Sequence, residues 1–286
     1  MDSIAELLGT GEPLVLPGVY DALSALLAEL AGFPVIFLSG YCLSATRLAE
    51  PDLGLLTQTE VIEAARRIIT AVERPLIVDI DTGYGNAFNV ERTIDELIRA
   101  GAAGAFLEDQ VWPKRCGHMA RKRVVELEEY LPKLRAALDV RRGTPFHVTA
   151  RTDARAPLGL DEAIRRARAF AEAGADAVFI EAPESLDEMA AIRAALPAEV
   201  PLVANMIENG KTPLRTAAEL HAAGFQIVAV PLAGLLAATH ALRDVYRTLR
   251  QDGISTRVAD RMLRFGEMNT LLGVEERYRR EQEWLG

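Results

Sequence analysis

Short, mostly apolar runs alternate along this chain with segments whose apolar positions recur every three and four residues. The runs fall near 13–17, 34–39, 75–81, 104–109, 146–151, 176–181, 200–205 and 226–231. Apolar on both alternating faces, they read as strands buried on two sides. The segments between them, such as TEVIEAARRIITAV and LDEAIRRARAFAEA, carry the apolar stripe of a helix packed on one face. Four helix-like segments end on Ala-Gly just before an apolar run, in ELAGFPVIFLSG, RAGAAGAFLED, EAGADAVFIEA and HAAGFQIVAVPL. Glycine there supplies the left-handed residue that stops a helix. Eight strand-helix repeats in about 240 residues predict an α/β fold, a (β/α)8 TIM-type barrel, over residues 1–250. Residues 251–286 fall outside that count and read as an extra C-terminal helical segment of the same domain. The alternative, an open doubly wound sheet, wants a Gly-rich phosphate turn after an early strand. LPGVYDALSA offers one glycine, and the glycine pair of DTGYGN lacks the third.

Composition removes several classes of function. The chain has 286 residues, half of them apolar, and needs no disulfide staples. A formal charge of −9 argues against a nucleic-acid or anionic-membrane surface, while a small acidic substrate at a local basic site stays open. Two cysteines, Cys42 and Cys116, make no disulfide framework and suit a reducing cytoplasm. The first residues lack a basic start and a continuous apolar stretch, so neither a signal peptide nor a membrane anchor is expected. No run reaches the ~18 apolar residues of a membrane span.

In a barrel enzyme the chemistry sits at the C-terminal ends of the strands. Read in order, those ends are Ser39 and Gly40, Asp79 and Asp81, Glu108, Arg151, Glu181, Asn205 and Pro231. Asp79 and Asp81, two apart on a strand, are expected to share a face. With Glu108 on the next strand they would repel one another unless a cation lay between them. An all-oxygen set favours Mg2+, with Mn2+ possible, over Zn2+. The other reading is that these acids cap helices or pair with Arg151. After the fourth strand, Lys114, Arg115, Cys116 and His118 crowd into five positions. The following RKRVVELEEYLPKLR reads as a solvated approach to a helix, His147 as a filler of a barrel layer, and His221 and His240 as solvated helix residues.

Four motifs, DIDTGYGN, EDQVWPKRCGH, ARTDA and ANMIENGKTP, in this order and spacing, resemble the isocitrate lyase and phosphoenolpyruvate mutase superfamily over roughly residues 13 to 245. The KRCGH element resembles its carbon-carbon lyase branch and a few relatives. The resemblance implies a (β/α)8 barrel, Mg2+, a keto-acid fragment bound at the metal, a mobile loop over the mouth, and a homodimer or homotetramer exchanging the C-terminal helix. By position, Asp79, Asp81 and Glu108 would surround the metal, partly through waters, with Asp52 behind them. Ser39 and Gly40 would hold the keto-acid carboxylate, Arg151 would bind its oxygens, and Glu181 and Asn205 would line the remaining wall. Tyr41, where lyases for branched substrates commonly have a small residue, narrows the pocket. Ala233 stands where many relatives carry serine.

These residues suit cleavage of a 2-hydroxy di- or tricarboxylate to a keto acid and a carboxylic acid, the 2-methylisocitrate or dimethylmalate lyase type of reaction. Such a cleavage leaves a carboxylate-stabilised carbanion that needs a proton. Cys116 is the expected donor, with Lys114, Arg115 and His118 expected to favour its ionised form. A phosphonomutase, moving a phosphoryl group between oxygen and carbon, is the alternative, and hydrolysis or decarboxylation of oxaloacetate a further one.

Overall fold

The computed structural model describes residues 2–286, which form two compact units, one running to Leu235 and the other spanning Leu236–Gly286.

In the first unit eight parallel strands, β1 (Leu14–Val19), β2 (Ile36–Leu38), β3 (Leu76–Asp79), β4 (Gly104–Glu108), β5 (His147–Thr152), β6 (Ala177–Ile180), β7 (Val203–Asn205) and β8 (Ile227–Val230), follow the apolar runs of the sequence. They pair in the order β6-β5-β4-β3-β2-β1-β8-β7, and a parallel bridge from Val178 to Leu202 joins the two ends. The sheet is thereby a nearly closed barrel, with helices alternating between its strands. Register is set by apolar neighbours, Leu14 opposite Ile227 on β8 and Leu38 opposite Val78 on β3.

The four Ala-Gly signals all mark chain reversals, because Gly32, Gly101, Gly174 and Gly224 hold φ between 86° and 95°, a region costly for residues with a Cβ. Helix starts are equally local. Thr57 accepts from the Glu60 amide while the Glu60 carboxylate takes the Thr57 amide at 2.8 Å, opening the helix Gln58–Ile69.

Two cores result. One lies inside the barrel, with Leu16, Phe37, Ile77, Phe106, Phe179 and Ala229, and its open lower end takes Ile4 from a short N-terminal helix that the sequence pattern did not single out. The larger one lies between sheet and helices, where Ile62, Ile68, Val90, Leu97, Leu134 and Phe170 meet the outward side chains of the strands. Phe37 and Phe106 stack at 4.9 Å between centroids, with Phe179 at 5.9 Å, and make the floor on which the site rests.

In the second unit the end of the helix Ala233–Asp252 leads through a 3₁₀ turn, Thr256–Arg261, to helices Phe265–Leu271 and Val274–Leu285. Arg261 ties back to Asp244 at 3.0 Å. No residue of the last two helices is buried, and Phe265 is 82% exposed and Trp284 74%. Among the described residues no helix is long and apolar enough to cross a membrane.

Candidate active site

The C-terminal ends of the strands open into a small cavity. Its polar wall is Ser39, Asp52, Asp79, Lys114, Cys116, Arg151, Glu181 and Asn205; Tyr41, Ile207, Pro231 and Leu232 close its apolar side over the phenylalanine floor. Gly40, Asp81 and Glu108 stand behind that wall, while Arg115 and His118 lie on the loop above it.

Ser39 ends β2 and caps the helix Gly40–Leu48, accepting from the Cys42 amide at 3.4 Å, so that the first amides of this helix face the cavity. Gly40 packs closely on the acids, since a Cβ there would meet the Asp79 carboxylate at 3.0 Å. Cys42 plays no part in the cavity. Its thiol donates to the Pro231 carbonyl, and burial pushes it up to about 12.

Asp79 and Asp81 come together, but for a different geometric reason from the one expected. β3 stops at Asp79, and Asp81 adopts a left-handed φ of 50°, with its amide donating to Asp79 Oδ1 at 3.2 Å. A tight turn, rather than strand alternation, brings the two acids together. Lys114 Nζ inserts between acids, 2.6 Å from Asp52 Oδ1 and 2.7 Å from Asp81 Oδ1. One ammonium does not satisfy the group. Burial pushes Asp81 up to about 7 despite Lys114, and holds Glu108 well above the usual carboxylate range despite Arg151. Glu108 Oε1 is buried without a hydrogen bond. The acids therefore demand more positive charge. Among the described residues no three His, Cys, Asp or Glu side chains converge to hold one ion directly. An all-oxygen set with an unpartnered carboxylate oxygen on Glu108 suits Mg2+, an ion that usually keeps several of its waters.

The loop after β4 carries the cluster that the sequence singled out, and both of its limbs are fastened. Gln110 pairs with Val124 across the base, and its side-chain amide donates to the Arg115 carbonyl at 2.7 Å and accepts from the Arg115 amide at 3.0 Å. Arg115 is thus held by its backbone, and its side chain is not part of the cavity wall. Cys116, within the loop, has its amide bonded to the Asp52 carbonyl at 3.1 Å. Its neighbours do not ionise it. Burial, reinforced by Asp52, pushes the thiol up to about 11, outweighing Lys114, so the sulfur carries its proton. Gly117 packs so closely that a Cβ would meet Arg151 Nη2 at 2.4 Å. His118 accepts from the Lys211 amide at Nδ1, 3.0 Å, and sets Nε2 3.1 Å from Glu181 Oε1, linking this loop to the one after β7. Asn205 Nδ2 reaches the same carboxylate at 3.2 Å.

The basic run after the loop is only partly solvated. Lys122 of that run is buried against Asp153 at 2.6 Å, and Arg166, from the helix Leu160–Glu172, is buried against Asp109 at 2.9 Å. Asp109 also receives the Thr152 hydroxyl and the Asp153 amide. Sequence reasoning missed Lys122, Asp153, Asp109 and Arg166. The one available signal was the acid of ARTDA, two residues beyond Arg151 and too deep to be left uncompensated. His147 is buried as expected, with Nε2 3.0 Å from Thr149 Oγ1; His240 is exposed and His221 partly so.

With this geometry in view, comparison with known proteins is decisive: the sequence model of the phosphoenolpyruvate phosphomutase family matches residues 4–250. The chain belongs to that family. Members of the phosphoenolpyruvate phosphomutase family and its isocitrate lyase relatives are enzymes, and so is this chain. It is 45% identical to 2,3-dimethylmalate lyase of Eubacterium barkeri over 95% of its own length and 93% of that protein. A solved oxaloacetate acetylhydrolase in complex with 3,3-difluorooxalacetate superposes with a TM-score of 0.91 at 38% identity, covering 97% of this chain and 94% of the other. A phosphonopyruvate hydrolase complex with oxalate and Mg2+ matches at a TM-score of 0.87 and 35% identity, covering 98% of this chain and 96% of the other.

Proposed function

We propose that this protein is a Mg2+-dependent carbon-carbon lyase that cleaves a 2-hydroxy di- or tricarboxylate to a keto acid and a carboxylic acid. The observation that carries this reading is Cys116, a thiol on the cavity wall that burial keeps protonated and so able to act as an acid. The lyase relative matched along almost the whole chain supports it.

Asp79, Asp81 and Glu108, with Asp52 behind, would hold Mg2+, which would supply charge stabilisation at the substrate hydroxyl oxygen. The residues of the chain do the rest. Ser39 and the first amides of the helix Gly40–Leu48 receive the carboxylate of the keto fragment at a helix N-terminus. Arg151 binds the oxygens of that keto fragment, and Glu181 with Asn205 lines the remaining wall. As the substrate hydroxyl gives its proton to a carboxylate of the cavity and becomes a carbonyl, the adjacent C–C bond breaks, its electron pair goes to the departing carbon, and Cys116 Sγ delivers its proton there and is left as the thiolate. Gly117, Cys116 and Lys114 exclude water while this happens, with Tyr41 and Leu232 closing the apolar side. Lys114 balances the acids, and Arg115 and His118 hold the loop in place.

The exposed apolar residues of the tail support a homodimer or homotetramer in which residues 251–286 are exchanged between subunits.

The test is to incubate the Mg2+-loaded protein with a panel of 2-hydroxy acids, oxaloacetate and phosphonates, following keto acid by coupled reduction and P–C signals by ³¹P NMR. Keto acid released from a 2-hydroxy acid is the expected result. A P–C signal would assign a mutase instead, and acetate with oxalate from oxaloacetate a hydrolase. EDTA should abolish turnover, with Mg2+ or Mn2+ restoring it and Zn2+ doing so poorly. Turnover that survives thorough chelation would remove the metal from the mechanism.

A further inference from the structure

Lys122 is a buried cation with no place in the chemistry above. Its side chain is wholly inaccessible, and its single ionic partner is Asp153 Oδ1 at 2.6 Å. Asp153 in turn holds Arg151 through two bonds, from Nε to Oδ2 at 2.9 Å and from Nη2 to Oδ1 at 3.1 Å. Arg151 also lies 3.3 Å from Glu108 Oε2 and 3.1 Å from Glu181 Oε2. One guanidinium thus faces three carboxylates, and a cation so outnumbered is a poor anchor for an anionic substrate. Among the described residues Lys122 is the one other ammonium or guanidinium in ionic contact with any of the three.

We propose that Lys122 is a positioning residue for substrate binding, neutralising Asp153 from behind so that Arg151 keeps its positive charge for a carboxylate in the cavity. This rests on Arg151 being the group that receives a substrate carboxylate. Lys122 sits on the return limb of the loop, next to Arg121 at a left-handed φ of 64°, and Lys114 on the outgoing limb is buried in the same way against Asp52 and Asp81. The loop that carries Cys116 is therefore pinned by a buried lysine on each limb. Seating it places the acid over the cavity and the compensating charge behind Arg151 together. Burial alone would raise the Asp153 carboxyl, yet Arg151 and Lys122 hold it well below the usual carboxylate range, as a shared counter-ion requires.

The experiment is calorimetric titration of the Mg2+-loaded full chain with oxalate, alongside steady-state kinetics and thermal unfolding of each variant. Lys122→Met should weaken oxalate binding tenfold or more and raise KM more than it lowers kcat. Lys122→Arg should bind nearly as the wild type does. Lys122→Met combined with Asp153→Asn removes both charges and should recover most of the lost affinity, which a purely structural role for Lys122 does not predict. If Lys122→Met does not fold, Lys122→Gln, which keeps a hydrogen-bonding group but not the charge, replaces it. Oxalate affinity within twofold of wild type in the charge-removing single variant, or no recovery in the double variant, would overturn the inference alone. A wild-type protein that binds no oxalate would overturn the reading of the cavity as well.

Discussion

Cys116 and His147 show how burial decides what a titratable residue does. Cys116 sits among basic neighbours, yet desolvation prevails and leaves a neutral thiol suited to giving a proton to carbon. Cys116→Ser should lower the rate of C–C cleavage by roughly two or more orders of magnitude, the scale of a lost general acid, with unchanged folding. Near-native turnover by that variant on a confirmed substrate would assign the proton to another group. His147, at the opposite end of the barrel, is pushed by burial from 6.5 down to about 4. It is neutral in the fold and protonates in the unfolded chain below pH 6.5, so its effect is a loss of stability as pH falls from 6.5 towards 4. Between pH 7 and pH 5 that loss is about 2 kcal/mol, at about 1.4 kcal/mol per pH unit. Urea unfolding of wild type and His147→Gln at the two pH values should therefore show the gap between them narrowing by that amount at pH 5. A gap independent of pH would mean that the imidazole titrates normally in the fold.

The element that matters most is the loop between β4 and the helix Leu127–Val140. Its backbone is closed by the Gln110 to Val124 bridge, its limbs are pinned by Lys114 and Lys122, and its tip lies on Arg151 and Glu181 through Gly117. A methyl group at position 117 would meet Glu181 Cγ at 2.5 Å and Arg151 Nη2 at 2.4 Å, and both side chains are held in place by polar contacts, Arg151 to Asp153 and Glu181 to His118. Gly117→Ala should accordingly hold the loop off the cavity and reduce kcat/KM about a hundredfold, the cost of an ångström of misplacement. The loop adds little to the core, so the melting temperature should stay within a few degrees. Turnover close to wild type would show that the loop closes without this contact.

For the whole molecule, the question is what the second unit does. Its last two helices bury none of their residues, although Phe265, Leu272, Tyr278, Trp284 and Leu285 are large and apolar. So much exposed apolar surface is unusual for a chain that works alone. Exchange of this segment between subunits predicts that the full chain elutes as a dimer or larger in light scattering. Truncation after residue 250 should give monomers or aggregates with weakened activity. A well-behaved full-length monomer would rule the exchange out.

Sequence alone determined the strand and helix order, because each strand is an apolar run, each helix an apolar stripe, and four reversals a glycine in a left-handed conformation costly for any other residue. It also named the residues at the barrel mouth, since strand ends in a parallel barrel share one face. Tertiary structure decided what those residues are. Asp81 reaches its acid neighbours through a left-handed turn that strand parity does not encode. The Cys116 thiol is pushed up to about 11 because the protein around it excludes water, and no spacing of charges along the chain states how deeply a group is buried. Lys122 and Asp153 are 31 residues apart, and their pairing exists only once β5 and the loop after β4 lie side by side. Charge and hydropathy are properties of a residue, whereas desolvation and long-range pairing are properties of the fold.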